Sequence, residues 1–332
     1  MDQPDSQTQR KGRLLNLRPK IPLPPRPLPG IKPFFVFAPI IFSGGLFNLE
    51  NFFSVFLTFI IFAVLGTASY LLNDVIDAPK DRLHPTKSQR LVASGKLPWQ
   101  HALAISFFLF GVSLAFAFWL SPFLFFVAFL FSLLQFLYSL YLKNLILLDV
   151  IAVAAGYILR VYAGAVIINA HVTVWFLLAV VSLSLLLAVG KRRSERTLLL
   201  AQAPAHRKTL LHYPEALLDS LVVMFATATF LTYTLFTFLE PLPPPSPTVL
   251  IFLGEQLPRT FVATKFLMIT SIPVLYGIMR YLYIVYEKKK GESPEEILVS
   301  DGPLFTAVTI WLVLVLLVIY GPGSAFFTRL QG

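Results

Sequence analysis

Residues 70–98 concentrate the chain's reactive chemistry. Between two long apolar runs stand three carboxylates, Asp74, Asp77 and Asp81, and five cations, Lys80, Arg82, Lys87, Arg90 and Lys96. Charge at the end of a membrane-crossing run is costly, so such a cluster points to a functional site. Asn73, Asp77 and Asp81 recur at i, i+4 and i+8, the spacing that puts side chains on one helix face. Oxygen ligands crowded on one face repel one another unless a hard cation sits between them. Mg²⁺ is typically held by one or two carboxylates, with substrate phosphates completing its shell. Asn73 and Asp77 are therefore the expected metal ligands. Pro79 disfavours an unbroken helix, which places Asp81 on a loop behind the first two. Tyr70, one turn before Asp74, is expected to line the same pocket.

A second cluster is cationic: Gly190-Lys191-Arg192-Arg193-Ser194-Glu195-Arg196, followed by Arg207-Lys208-Thr209-Leu210-x-x-Tyr213. Lys191, Arg192, Arg207 and Lys208 favour phosphate groups through charge-assisted contacts. Arg193 and Arg196 read as charges that set topology. Lys143 lies on a very short connection and can face a cavity. Arg160 is isolated inside an apolar helix, among Gly156, Ala163 and Gly164, and at that depth needs an anion: Asp74, Asp149 or a substrate phosphate. Lys32, just before the first apolar run, is placed to meet a lipid headgroup.

The elements that must carry these residues are membrane helices. The 332 residues are 56% hydrophobic and only 13% charged, far from a soluble composition. Nine apolar segments recur, at roughly 34–49, 52–74, 99–119, 122–141, 146–168, 172–190, 216–239, 261–286 and 303–321, about the length that crosses a bilayer. The expectation is an all-α, polytopic protein of nine transmembrane helices around a central cavity, with a basic, proline-rich tail over 1–24 and one catalytic domain over 25–332. Lys and Arg gather in the tail and in the connections after helices two, four, six and eight. Those after helices one, three and five have none. The positive-inside rule then puts the N-terminus and the charged connections in the cytoplasm of a cell-membrane protein. The absence of Cys excludes disulfides and thiolate metal sites. The net charge of +10 follows topology and an anionic substrate, with no nucleic-acid partner implied. Nothing in the sequence shows the internal repeats of a transporter.

Asn73-Asp74-x-x-Asp77-x-x-x-Asp81 resembles the first acidic motif of the UbiA superfamily of intramembrane prenyltransferases. Arg82-x-His84-Pro85-Thr86-Lys87-x-x-Arg90 resembles its phosphoribosyl-transferring branch. Where typical superfamily members have a second Asp-rich motif, this chain has Gly-Lys-Arg-x-x-Glu, with Lys191, Arg192 and Glu195, and then Arg207 and Lys208, as that branch does. Gly291-Glu292-Ser293-Pro294-Glu295-Glu296 is also similar. Around Lys32 the chain departs, with Pro29-Gly30 and Pro33 in place of the usual neighbours. The resemblance implies a nine-helix bundle and a Mg²⁺-dependent transfer of 5-phosphoribose from phosphoribosyl diphosphate to a polyprenyl phosphate. Asp77, Asn73 and Arg160 would be catalytic. Lys32, Tyr70, Asp81, Lys87, Arg90, Lys143, Lys191, Arg192, Glu195, Arg207 and Lys208 would bind substrate. The alternative is a prenyl transfer from an isoprenoid diphosphate to an aromatic acceptor. Prenyl length, and whether the chain forms a homo-oligomer, are left open by the sequence.

Overall fold

The computed structural model describes residues 32–83, 87–201, 213–239, 266–288 and 294–320. Arg207, Lys208, His84 and the proline-rich connection near 240–260 lie outside them. Every regular element among the described residues is helical, and turns join them. A 3₁₀ turn Lys32–Phe37 leads into α1 (Ala38–Phe42). Then come α2 (Leu49–Asp81), α3 (Trp99–Leu120), α4 (Pro122–Leu140) and α5 (Leu148–Ile167). They are followed by α6 (Val174–Ala201), α7 (Glu215–Leu239), α8 (Ser271–Tyr283), α9 (Pro294–Ser300) and α10 (Gly302–Tyr320). Eight of these helical stretches are long and apolar enough to cross a membrane. The first of the nine expected segments forms the shorter apolar stretch Lys32–Phe42.

Two helices outrun their apolar segments. Helix α2 has 33 residues, about 50 Å at 1.5 Å per residue, against a hydrocarbon core of about 30 Å. It continues through Pro79 to Asp81, so Asp81 is the last helical residue and not part of a loop. Pro79 lies in the final turn, where it removes a single backbone hydrogen bond. The cost is small enough for the turn to persist. Helix α6 likewise runs past Gly190, carrying Lys191 to Glu195 on its extension. The chemistry-bearing residues therefore stand on regular helix just beyond the apolar runs.

Close approaches lock this frame. Gly164 on α5 faces the Val36 carbonyl, and even a methyl group there would overlap it. The missing Cβ lets the Lys32–Phe37 turn lie against α5, which fixes where Lys32 emerges. The Tyr320 hydroxyl, at the end of α10, donates to the Ile40 and Ile41 carbonyls (3.0 and 2.8 Å) and accepts from Leu46 N–H (3.1 Å). It thus ties the last helix to the first. Arg280 on α8 forms a bidentate pair with Asp301 (2.9 and 3.0 Å), whose Oδ1 also caps α10 at Leu304 N–H. One apolar core joins α6, α7 and α8; another joins the N-terminal turns to α2, α3 and α4.

Candidate active site

The end of α2 carries four functional side chains on two stripes. At about 100° per residue, Asn73 and Asp77 are about 40° apart and Asp74 and Asp81 about 20° apart. The partners follow that division. Arg90 donates from one terminal nitrogen to Asp74 Oδ1 (3.1 Å) and Asp81 Oδ2 (2.5 Å). It clamps the connection after α2 back onto the helix. Its guanidinium, expected to meet substrate, is thus engaged by two carboxylates. Lys87 opens a 3₁₀ turn, Lys87–Gln89, in the same connection.

The other stripe faces Lys143. Its ammonium donates to Asp77 Oδ1 (2.7 Å) and Asn73 Oδ1 (3.0 Å), while Asn73 Nδ2 donates to Asp77 Oδ2 (2.9 Å). Lys143 is only 3% exposed and stands on the 3₁₀ turn Leu142–Asn144 that follows α4. Two hard oxygens thus converge on a positive charge. That arrangement fits a Mg²⁺ site in which protein supplies one carboxylate and an amide, and substrate phosphate supplies the rest. Among the described residues no group of three or more His, Asp and Glu side chains forms a closed metal cage.

Beside this lies a buried hub around Asp149, at the start of α5 and 2% exposed. Its Oδ2 accepts from Arg192 Nε (2.6 Å), and its Oδ1 accepts from the Tyr213 hydroxyl (2.6 Å) and from Val150 N–H (2.9 Å). The Tyr213 hydroxyl in turn accepts from Leu147 N–H (2.6 Å), and Leu147 has a positive φ of 67°. This places Tyr213 as the brace of a strained turn between Lys143 and α5. Burial, reinforced by the hydrogen bond to Asp149, pushes the Tyr213 phenol above its ordinary value, so it remains a protonated donor. Arg192 completes the hub. Its remaining nitrogens bind Glu195 Oε2 (2.6 Å) and the Tyr138 hydroxyl (3.1 Å). All three guanidinium nitrogens are engaged by protein, which ties the α6 extension to Asp149 and Tyr138. Arg193 pairs with Asp219 (2.6 Å) and Arg196 donates to the Tyr213 carbonyl.

Lys191 differs from its neighbour. Among the described residues it forms neither a hydrogen bond nor an ion pair, and it lies within electrostatic reach of Lys32, Glu195 and Tyr138. Lys32 donates to the Tyr70 hydroxyl (3.1 Å), so Lys32, Tyr70 and Lys191 form a cationic rim on the same side of the bundle as the Asn73–Asp77 pair. Arg160 stands apart. Its guanidinium donates to the Gly156 carbonyl (2.7 Å) and lies 4.5 Å from the Phe131 ring centre. It is eleven residues beyond Asp149, roughly 16 Å farther along α5. Asp149, one of its expected partners, is taken by Arg192 and Tyr213. An aromatic face supplies part of what an anion was expected to supply.

Tyr213, Tyr138 and Asp149 were absent from the expected site set. The Arg-Lys-x-Leu-x-x-Tyr motif contained Tyr213, but only the fold shows that its hydroxyl meets the turn before α5.

The described residues form a helical membrane bundle with a carboxylate–amide pair and several lysines at one end. The chain belongs to the UbiA prenyltransferase family, whose model matches residues 33–194. It is 31% identical over 258 residues to decaprenyl-phosphate phosphoribosyltransferase of Mycolicibacterium smegmatis, covering 78% of each chain. It is 28% identical over 299 residues to the Corynebacterium glutamicum protein of the same name, covering 89% of this chain and 85% of that one. The fold is similar to the structure of a UbiA homolog from Archaeoglobus fulgidus bound to DMAPP and Mg²⁺, with TM-score 0.61 and 19% identity, over 87% of this chain and 95% of that one.

Proposed function

We propose that this chain transfers 5-phosphoribose from phosphoribosyl diphosphate to a polyprenyl phosphate, releasing diphosphate, in a Mg²⁺-dependent reaction at the cytoplasmic face of a cell membrane. The observation that carries the reading is the asymmetry of the site. One side offers Asn73 and Asp77, and the other offers Lys32 and Lys191 where a prenyl-diphosphate enzyme would need a second acidic group. Relatives named as decaprenyl-phosphate phosphoribosyltransferases, aligned over 78% and 89% of this chain, support it.

Asn73 and Asp77 would hold the metal, which when bound supplies charge neutralisation to the leaving diphosphate. Lys143 and Lys191 add hydrogen bonds to the phosphate oxygens as charge accumulates on them. The acceptor's phosphate oxygen is already ionised at neutral pH, so attack on the anomeric carbon needs no protein base. Lys32 and Tyr70 suit the lipid phosphate, because they emerge beside the apolar N-terminal turns. Arg160, deeper in the bundle, suits an anionic group that enters the cavity. Lys87, Arg207 and Lys208 remain candidates for the 5-phosphate. Asp81, Arg90, Arg192 and Glu195 serve by holding the two helix ends in place.

A donor competition tests this. Purified protein with Mg²⁺ should consume phosphoribosyl diphosphate, with release of diphosphate, only when a polyprenyl phosphate is present. Joining of geranylgeranyl diphosphate to an aromatic acid, with phosphoribosyl diphosphate untouched, would overturn the reading in favour of prenyl transfer.

A further inference from the structure

The oxygens best suited to a metal are already occupied by Lys143. Its ammonium bridges Asp77 Oδ1 and Asn73 Oδ1 at 2.7 and 3.0 Å from a 3₁₀ turn in a connection packed beneath Tyr213. We infer that Lys143 is a resident counter-cation, which competes with the metal for Asn73 and Asp77 and passes to a donor phosphate when the metal and diphosphate arrive together. The inference rests on the metal-dependent reading above.

Three observations carry it. Asp77 is buried, at 7% exposure, and a buried carboxylate without a partner is strongly destabilising. Something positive must stand there before the metal does. Arg90 is unsuited, because it lies on the other stripe of α2, bound to Asp74 and Asp81. The third observation is the local charge. Asp77 and Lys143 cancel within their pair. A bare divalent cation entering would have to displace the Lys143 ammonium from both oxygens and leave that charge without its carboxylate. A diphosphate brings the missing negative charge, further metal ligands and a new acceptor for the Lys143 ammonium, whose flexible four-carbon stem can move without the backbone. Metal alone therefore binds weakly, and metal with diphosphate binds cooperatively.

The test uses full-length protein in nanodiscs, with Mn²⁺ as the spectroscopic probe and no donor present. Bound Mn²⁺ is counted by electron paramagnetic resonance for wild type, Lys143→Met, Lys143→Gln and Lys143→Arg. The neutral variants should bind Mn²⁺ at least about tenfold more tightly than wild type, a difference of about 1.4 kcal/mol, and Lys143→Arg should not. Adding Asp77→Asn to Lys143→Met should abolish the gain. Equal or weaker Mn²⁺ binding by the neutral variants overturns the inference. Should neither neutral variant fold, wild type decides: saturating Mn²⁺ must raise acylation of Lys143 by an amine reagent, read by mass spectrometry, and unchanged protection overturns the inference. Neither readout involves the donor. The phosphoribosyl reading can therefore fail while this inference stands, and the reverse.

Discussion

Lys191 and Arg192 are adjacent cations in different surroundings, and replacing each by Met tests whether their duties differ. Lys191 forms no hydrogen bond or ion pair among the described residues, so its loss breaks none there. If it binds a phosphate oxygen in the transition state, removing one charged hydrogen bond costs about 1.5–3 kcal/mol, a fall of about 10- to 150-fold in kcat/KM. The fold should be unaffected. Arg192 is 4% exposed and joins Asp149, Glu195 and Tyr138. Its loss leaves Asp149, itself 2% exposed, with only Tyr213 and Val150 N–H as donors. Breaking a buried pair from one side costs about 3–5 kcal/mol, a large share of a typical net stability of about 5–15 kcal/mol. Tryptophan-fluorescence melts in detergent measure that loss, and initial rates with both substrates measure the other. Arg192→Met should melt well below wild type, whereas Lys191→Met should melt with it and turn over slowly. Arg192→Lys should recover little stability, because an ammonium cannot reproduce a three-way fork. If Arg192→Met kept the wild-type melt while losing activity as Lys191→Met does, Arg192 would be a substrate ligand and the hub argument would be wrong.

Asp77→Asn keeps the side chain's size and removes its charge, so Mg²⁺-dependent turnover should collapse with folding retained; wild-type rates at limiting Mg²⁺ would contradict the metal assignment. Gly164→Ala forces a methyl group onto the Val36 carbonyl, and overpacking of this kind costs about 1–3 kcal/mol or more, visible as a lowered melt. Burial and the hydrogen bond to Asp149 raise the Tyr213 phenol above its ordinary value, so its contribution to stability is fully present below about pH 10 and is lost as pH rises through the folded value. Tyr213→Phe should lack that alkaline component and show less stability at neutral pH, as followed by melts across pH 7–11. Because the chain has no native Cys, single-cysteine labelling can fix its orientation: Lys96→Cys should react from the cytoplasmic side and Ser121→Cys, at the other end of α3, from outside. Labelling of both from one side would refute the proposed topology.

The membrane class and the all-helical bundle were legible because hydropathy is a local, additive signal; of the nine expected spans, eight are long enough among the described residues and the first is the shorter Lys32–Phe42 stretch. The pairing of Asn73 with Asp77 on one stripe of α2 was legible because helical spacing brings them together without further information. The helix ends were not. Apolar runs stop near residues 74 and 190, but backbone hydrogen bonding carries α2 to Asp81 and α6 to Ala201, since a helix beyond the apolar run needs only polar outer faces. Partner choice was not legible either. Lys143 meets Asp77 across 66 positions and Tyr213 meets Asp149 across 64, and such pairings are set by how helices pack. Arg160 shows the same limit. Its need for a partner was readable from depth alone, while the carbonyl of Gly156 and the ring of Phe131 could be found only in the fold.

These placements give the site a division of labour that composition hides. The cations near this end of the bundle include Lys32, Lys87, Arg90, Lys143, Lys191, Arg192, Arg193 and Arg196. Four of these, Arg90, Arg192, Arg193 and Arg196, are bound by carboxylates, a carbonyl or a phenol that belong to other chain connections or helices. Each holds one chain connection or helix extension against another, and a planar fork suits that task. Under the proposed reaction, chemistry at the reacting phosphates would fall instead to lysines, whose compact heads and flexible stems can exchange one anion for another. A cation that must hold the fold cannot also follow a phosphate through bond cleavage without loosening what it holds. Separating the two duties would let charge move at the centre while the helix ends stay fixed.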